Sequence, residues 1–203
     1  MSEPCGAVVL AAGGGSRFAG AAHKLLVDIN GLPVLAYVLR AVEESGVSPV
    51  IVVTGAIDLS PVLDEARARL KGGLIIVHNE RWREGMATSL QCAVHEARER
   101  GLAAIVVGLG DQPGIPAAAW RDVAATNAPI AVATYAGVRR NPVRIHAELW
   151  DQLPIAGDEG ARTLIRIRPE LVSEVACEGN ADDIDTAEDV LRWQQRSAHR
   201  GDC

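Results

Sequence analysis

Aromatic residues and clusters of basic residues are scarce in this chain of 203 residues. With only one Phe and two Tyr, the core must be built mainly from Val, Ile, Leu and Ala. Such a core is typical of a parallel sheet that helices cover on both faces. The formal net charge is −6, and an acidic chain without basic clusters argues against a nucleic-acid-binding protein.

Paired cysteines and long apolar runs are also missing. The four cysteines are widely spaced and form no C-x-x-C pair, which argues against a zinc site or a disulfide framework. No apolar run approaches the roughly 18–20 residues that span a bilayer. The segment Met1 to Pro4 has neither the basic residues nor the apolar core of a signal peptide. We therefore expect a reduced, cytoplasmic protein with no membrane partner.

Short apolar stretches alternate with helical patterns along the first two thirds of the chain. The strand candidates are Ala7–Ala11, Val50–Thr54, Leu74–His78, Ala103–Gly108 and Ile130–Ala133. The helix candidates are Pro33–Ser45, Ser60 to about Lys71, Met86–Arg100 and Pro116–Ala125. This order predicts a single-domain, Rossmann-like, three-layer α/β/α fold with a mostly parallel sheet.

The alternation breaks after Tyr135. A stretch of glycine and arginine leads into a short apolar run, and one more strand precedes the last helix. The predicted elements here are a run at Val143–Ile145, helices at Ala147–Leu153 and Gly160–Arg168, a strand at Leu171–Ala176 and a helix at Ala187–Ala198.

The loop after the first strand is the most informative segment. Three glycines, Gly13 to Gly15, bring backbone N–H groups together into an anion cradle, and Arg17 and Lys24 add two cations that suit a polyphosphate. The loop is not a P-loop, because Gly-Lys-Ser/Thr occurs nowhere in the chain. It is not a Rossmann fingerprint either, because Phe18 stands where the third glycine belongs. A flexible turn is the alternative.

Two aspartates are candidates for a metal site at the same edge of the sheet. Asp111 follows the most apolar strand, and Asp185 comes one residue before Thr186, a natural helix N-cap. Mg²⁺ prefers one or two carboxylates, so we expect the two carboxylates to lie within about 4–7 Å of each other. For Asp111, a turn-capping role is the alternative.

Two further polar segments are candidates for substrate contacts. Asn79 and the helix start at Gly85–Ser89 offer N–H groups and hydroxyls that can recognise a base edge or a ribose, with helix capping as the alternative. The loop Gly157–Arg162 and the upstream segment 139–142 offer arginines for a second anionic substrate, with a solvated loop as the alternative.

Six motifs together resemble the molybdenum cofactor nucleotidyltransferases, which belong to the glycosyltransferase-A-like nucleotidyltransferases. The resemblance covers about residues 7–192 and keeps the motif order throughout. In chain order, the motifs are Leu10-Ala-Ala-Gly-x-x-Ser-Arg-x-x-Gly…Lys24, Asn79…Gly85-Met-x-x-Ser89, Gly110-Asp-Gln-Pro113, Asn141-Pro-Val143, Gly157-Asp-x-Gly-Ala-Arg162 and Asp183-Ile-Asp-Thr186.

The resemblance implies an enzyme that joins NMP from a nucleoside triphosphate to molybdopterin and releases pyrophosphate, in molybdenum cofactor maturation. Leu-Ala-Ala-Gly and Gly-Met-x-x-Ser are similar to the cytidylyltransferase branch, which favours CTP. The alternatives are a GTP-dependent guanylyltransferase, a nucleotidyltransferase for another phosphorylated acceptor, and a non-enzymatic module that delivers the cofactor to a molybdoenzyme or its chaperone.

The resemblance also implies the roles of individual residues and a Mg²⁺ cofactor. Residues 1–203 form one domain, with a nucleotide-binding half at about 7–135 and an acceptor-binding half at about 136–198. The implied catalytic residues are Arg17, Lys24 and Asp111, and the metal ligands are Asp111 and Asp185. The implied nucleotide-binding residues are Leu10, Ala11, Ala12, Gly13, Gly14, Gly15, Ser16, Asn79, Gly85, Met86 and Ser89. The implied acceptor-binding residues are Arg140, Asn141, Asp158 and Arg162.

Overall fold

The computed structural model describes residues 3–15, 18, 23–70 and 73–200, with side chains as far as residue 195. Strands and helices alternate along it. In chain order they are β1 (Cys5–Leu10), β2 (Asp28–Ile29), β3 (Leu32–Pro33), α1 (Val34–Ser45), β4 (Val50–Thr54), α2 (Ser60–Arg69), β5 (Leu74–His78), α3 (Met86–Glu99), β6 (Ala104–Leu109), α4 (Ala117–Ala124), β7 (Ile130–Tyr135), β8 (Val138–His146), α5 (Ala161–Ile167), β9 (Val172–Ala176) and α6 (Ala187–Arg200).

Seven strands form one central sheet in the order β5-β4-β1-β6-β8-β7-β9. The pairs β4–β5, β1–β4, β1–β6 and β7–β9 are parallel, and β8 runs antiparallel to both β6 and β7. The predicted mostly parallel sheet is therefore confirmed. Strands β1, β4, β5 and β6 place their carboxyl ends along a single edge, which is where ligands bind in open α/β sheets.

Alternate residues of the central strands enter two separate cores. On β1, Ala7 and Val9 pack with α1, α2 and α4, whereas Val8 and Leu10 pack with α3 and α5 on the opposite face. Because both faces are covered, these strands are continuous apolar runs rather than alternating ones. The three-layer arrangement predicted from the sequence follows from this pattern.

The structure corrects the sequence prediction in three places. Strands β2 and β3 form a short antiparallel hairpin that was not predicted. The apolar run at 143–145 is only the end of β8, whose first residues are exposed and charged but pair with β7 across a bulge. Residues Ala147–Gln152 form a 3₁₀-helix. In each case, tertiary strand pairing or a local turn outweighs a weak residue pattern.

Among the described residues, no helix is long and apolar enough to cross a membrane. The three cysteines within them, Cys5, Cys92 and Cys177, are free thiols.

A prediction follows from the contact between Gly108 of β6 and Trp120 of α4. A methyl group at position 108 would lie 2.5 Å from the buried indole of Trp120. We expect Gly108→Ala to lower the free energy of unfolding by about 1–3 kcal/mol through overpacking. Trp120→Phe should relieve this overpacking. The double variant should therefore lose less free energy of unfolding than the sum of the losses of the two single variants, as measured by urea denaturation.

Gly13→Ala is the control for that series, because a methyl group at Gly13 would meet no atom of the described residues within 4 Å and the glycine does not have a positive φ. It should change the free energy of unfolding by less than about 0.5 kcal/mol. A Gly108→Ala variant as stable as the unmodified protein would contradict the packing described above.

Candidate active site

The loop that follows β1 is fixed to the neighbouring strands by backbone hydrogen bonds. Ala11 N donates to Val53 O at 2.9 Å, and Gly110 N donates to Leu10 O at 2.9 Å. The side chains of Leu10, Ala11 and Ala12 are buried in the two cores. Any contact of these three residues with a nucleotide must therefore be made by the backbone.

Gly13 and Gly14 are exposed at the edge of the sheet, and Gly15 has a φ of +59°. The indole of Trp82 lies against this loop, because a Cβ at Gly14 would be only 3.0 Å from it. The Arg83 guanidinium stacks 4.3 Å from the centre of the Trp82 ring. The predicted site residues Ser16 and Arg17 lie outside the described residues.

His23 closes the glycine loop and was not predicted from the sequence. Its Nε2 lies 3.0 Å from Gly13 O, and its Nδ1 accepts a hydrogen bond from Leu25 N at 3.3 Å. Burial, followed by the charge of Lys24, lowers the pKa of His23, although the bond to Gly13 and the charge of Asp111 act in the opposite direction. A neutral imidazole that donates from Nε2 satisfies both contacts.

Lys24 lies between the two predicted metal ligands. Its Nζ donates to Asp111 Oδ2 at 2.5 Å and to Asp185 Oδ1 at 2.6 Å. The two oxygens are thus no more than about 5.1 Å apart, the sum of these distances, which confirms the predicted proximity. The three side chains are only 13%, 15% and 22% exposed.

The electrostatics of this cluster favour a charged lysine. Burial by itself lowers the pKa of Lys24, but the charge of Asp111 and the hydrogen bonds to both carboxylates outweigh it. The pKa of Lys24 therefore lies above its ordinary value. Salt bridges of this kind are short, charge-assisted and partly shielded from water, so they fix the position of all three groups.

Backbone pairing brings Asp185 to this cluster. Asn180 N donates to Gly114 O at 3.1 Å, and Ile184 N donates to Asp111 O at 2.9 Å. Past Asp185, the amides of Asp185 and Thr186 donate to Asp189 Oδ2, and Asp189 N donates back to Thr186 Oγ1. The predicted N-cap at Thr186 is confirmed, and this reciprocal capping holds Asp185 at the start of α6.

Gln112 connects three of the sequence motifs and is almost fully buried, with 4% exposure. Its Nε2 donates to Ala181 O at 3.1 Å and to Asp183 Oδ1 at 2.7 Å, and its Oε1 accepts from Asn141 Nδ2 at 2.8 Å. Asn141, a predicted acceptor-binding residue, therefore has its amide bound to Gln112. This network adjoins Asp111 and holds the segment that carries Asp185.

Asn79 organises the loop between β5 and α3. Its Nδ2 donates to Thr88 Oγ1 and to Ser89 Oγ, both at 2.9 Å, and its Oδ1 accepts from Arg81 N at 2.9 Å. Asn79 is 2% exposed, and both of its amide hydrogens are used within the chain. The predicted residues Asn79 and Ser89 thus bind each other and set the shape of the loop.

The loop at residues 157–160 is docked on the start of α3. Ala87 N donates to Gly157 O at 2.9 Å, and Met86 N donates to Asp158 Oδ1 at 3.3 Å. A Cβ at Gly85 would lie 2.4 Å from Gly157 O, so the two segments are in direct backbone contact. Asp158, a predicted acceptor-binding residue, therefore caps an N–H group of the predicted nucleotide-binding segment.

The other predicted acceptor-binding residues are exposed arginines. Arg140 lies on β8, where its Nη1 donates to Arg139 O at 3.4 Å, and Arg162 lies in the first turn of α5. Both side chains face solvent and retain hydrogen-bonding capacity for a ligand.

The donor set at the lysine cluster fits a magnesium ion. Asp111 and Asp185 already hold one cation between them, each through one carboxylate oxygen. Two carboxylates, completed by phosphate and water oxygens, are the usual protein contribution to Mg²⁺ binding. Within the described part of the chain, no group of three or more His, Cys, Asp or Glu side chains is arranged to hold a metal without such additional ligands.

Comparison with known sequences gives partial matches to bifunctional proteins. The bifunctional protein GlmU of Allorhizobium ampelinum is 36% identical over 113 residues, which cover 56% of this chain and 24% of that protein. GlmU of Agrobacterium fabrum is 34% identical over 129 residues, 62% of this chain and 28% of that protein. The chain thus corresponds to about a quarter of the length of these relatives.

Solved structures match over nearly the whole chain. A nucleotidyl transferase from Methanothermobacter thermautotroptrophicus superposes with a TM-score of 0.77 at 25% identity, covering 97% of this chain and 98% of that one. Rv0371c from Mycobacterium tuberculosis H37Rv has a TM-score of 0.77 at 26% identity, covering 96% and 100%. A complex of the same mycobacterial protein with manganese has a TM-score of 0.73.

The family match covers most of the chain and includes the glycine loop, Lys24 and Asp111, whereas Asp185 lies beyond it. Residues 7–175 match the MobA-like NTP transferase domain, and the chain belongs to this family.

Proposed function

We propose that this protein transfers a nucleoside monophosphate from CTP to the phosphate group of molybdopterin and releases pyrophosphate. The observation that carries the transfer reaction is the Lys24 ammonium held between Asp111 and Asp185 beside the glycine loop. Family membership and the nucleotidyl transferase of similar structure support the reaction class. The six motifs that resemble molybdenum cofactor nucleotidyltransferases support the acceptor.

The reaction needs positioning and charge neutralisation more than proton transfer. An oxygen of the acceptor phosphate attacks the α-phosphorus, a new P–O bond forms, and the bond to the leaving pyrophosphate breaks on the opposite side. The attacking phosphate is already anionic, so no general base is required. The chain's contribution is to hold the two phosphates in line and to stabilise the charge on the leaving group.

Lys24 and Arg17 are the cations we assign to the triphosphate. Lys24 is fixed beside the glycine loop through its neighbour His23, whose imidazole lies 3.0 Å from Gly13 O. Exposed N–H groups of Gly13 and Gly14 bind phosphate oxygens in this scheme. The pKa of Lys24 is raised, so the ammonium stays charged across the physiological range.

Asp111 and Asp185 are the residues that we propose hold Mg²⁺. When bound there, the ion neutralises phosphate charge and orients the phosphate oxygens. The similar mycobacterial protein has been crystallised with manganese, which supports a divalent cation in this fold. Asp185 lies outside the family match, so its assignment depends on its contact with Lys24 and not on the family.

The remaining predicted residues divide between direct and positioning roles. We assign the nucleoside to the segment from Gly85 to Ser89, whose shape Asn79 sets, and the acceptor to the exposed cations Arg140 and Arg162. Asn141 and Asp158 support these segments through Gln112 and Met86. The division into a nucleotide half at 7–135 and an acceptor half at 136–198 remains part of the proposal, with Asp185 reaching from one half to the other.

The alternative functions are another nucleotidyltransferase and a non-catalytic delivery module, and they place different demands on the lysine cluster. A GTP-dependent enzyme, or an enzyme for another phosphorylated acceptor, would keep the lysine cluster and differ only at the base and acceptor contacts. A module that binds and delivers the cofactor needs no clamp of two carboxylates and a lysine. We therefore favour catalysis, in a cytoplasmic enzyme that interacts with a molybdoenzyme or its chaperone.

Pyrophosphate release tests the assigned chemistry. Lys24→Ala should lower kcat/KM by about 30- to 1,000-fold, because one electrostatic contact to the leaving group contributes about 2–4 kcal/mol. The control is Arg69→Ala, which removes a cation bound between Glu43 and Glu65 on the protein surface. Equal rates for the two variants, with both folded, would disprove the role of Lys24.

The base preference is tested by competition. With molybdopterin as acceptor and equal CTP and GTP, we expect the cytidine product to dominate, because the Gly85-Met-x-x-Ser89 segment is similar to that of cytidylyltransferases. Mass spectrometry of the product identifies the transferred nucleotide. A guanosine product would assign the enzyme to the other branch and leave the reaction class standing.

The role of Gln112 as a positioning residue gives a third prediction. Gln112→Glu removes the amide that donates to Ala181 O and Asp183 Oδ1 and places a carboxylate beside Asp183. We expect the free energy of unfolding to fall by about 1–3 kcal/mol, because buried acceptors lose their donors. We also expect a higher Mg²⁺ concentration at half-maximal rate, which a purely structural role would leave unchanged. Gln112→Met also removes these donors, without adding a charge, and should shift this concentration in the same direction.

A further inference from the structure

The Lys24 ammonium occupies the space between the two carboxylates in which a metal ion would bind. The ammonium contacts the oxygens of both carboxylates that would hold the metal. A cation coordinated by these oxygens at about 2.1 Å would have to lie in the same space, since the oxygens are at most about 5.1 Å apart. The lysine and a metal ion cannot both occupy this gap.

The other carboxylate oxygen of Asp111 does not offer an easy alternative. Asp111 Oδ1 is buried, so a cation arriving from solvent meets Oδ2, the oxygen that Lys24 holds. A divalent cation at Asp111 Oδ2 would also lie directly beside the Lys24 ammonium. Like charges this close repel much more strongly in a part-buried site than in water.

A triphosphate can relieve this conflict because of where Lys24 lies. The backbone at residue 24 begins a short 3₁₀-helix, and His23 ties it to the carbonyl of Gly13 in the glycine loop. Only the flexible four-carbon stem of the lysine has to move for its ammonium to reach phosphate oxygens on that loop. The carboxylates would then be released without any change in the backbone.

We propose that Lys24 and the divalent cation compete for the carboxylates of Asp111 and Asp185, and that a triphosphate decides the competition by drawing Lys24 onto its own oxygens. This inference rests on the proposed function, because it takes these carboxylates to be the metal site. Its consequence is strong coupling: the cation alone binds weakly, and cation and nucleotide each raise the affinity for the other by the same factor.

Manganese titration of the nucleotide-free protein tests this competition. Electron paramagnetic resonance of free Mn²⁺ gives the dissociation constant for the unmodified protein, Lys24→Met and Lys24→Gln. We expect both variants to bind one Mn²⁺ at least about tenfold more tightly than the unmodified protein, a difference of about 1.4 kcal/mol. Adding Asp185→Asn to Lys24→Met should abolish this gain, which would place the ion at the two carboxylates.

The matched control is Arg69→Met. Arg69 also lies between two carboxylates, with Nε 2.8 Å from Glu43 Oε2 and Nη1 2.6 Å from Glu65 Oε1, but on α2 and away from the site. The substitution Arg69→Met also removes one positive charge from between two carboxylates, and it should leave the Mn²⁺ affinity unchanged. An equal gain in Arg69→Met would show that net charge alone is responsible, and would overturn the proposal.

Equal or weaker Mn²⁺ binding by both Lys24 variants would also overturn it. If a variant is unfolded in metal-free buffer, the measurement becomes recovery of its native circular dichroism on adding Mn²⁺. Recovery supports the competition, and its absence contradicts it. Failure of the proposed function looks different: the unmodified protein would release no pyrophosphate with any nucleotide, whatever the metal titration shows.

Discussion

Two carboxylates whose oxygens lie at most about 5.1 Å apart in a part-buried site require a cation between them, and this requirement shapes the edge of the sheet. Lys24 meets it in the structure described here. Three contacts keep Lys24, Asp111 and Asp185 together: the bond from His23 to the glycine loop, the pairing of residues 180–184 with 111–114, and the capping of α6 by Asp189. Without the cation, the two aspartates would repel each other and loosen the segments that carry them.

The fold was largely predictable because its strands are buried on both faces. Continuous apolar runs such as Val50–Thr54 give a strong signal, and the rule that ligands bind beyond the carboxyl ends of parallel strands then placed Asp111 correctly. Strand β8 escaped prediction because its first residues are charged and exposed, so only pairing with β7 makes them a strand. Strands are recognised in a sequence by the apolar residues that they bury, and the first residues of β8 are exposed.

The charged residues of the candidate site, and the amides of Asn79 and Asn141, could be picked out from the sequence, whereas the contacts of Gln112 and His23 could not. Gln112 was visible only as part of a motif, since nothing in a sequence shows that a glutamine will be buried and bonded to two distant segments. His23 contacts the carbonyl of Gly13, ten positions earlier in the chain, and no residue pattern indicates that contact. The docking of Gly157 against Gly85 depends on the packing of α3 against a loop 72 residues away along the chain. Such contacts are products of the tertiary structure.

Residues 157–160 bind the start of α3 through hydrogen bonds, so the segments that we assign to the nucleoside and the acceptor are in direct contact.

The separation between Lys24 and Asp185 in the sequence has a consequence for how the protein folds during its synthesis. These two partners are 161 positions apart along the chain. During synthesis, which proceeds from the N-terminus, strands that precede Asp185 can pair while the segment that carries it is still being made. A growing chain therefore carries Lys24 and Asp111 before it carries Asp185, and Lys24 can lie between two carboxylates only once residue 185 has been made.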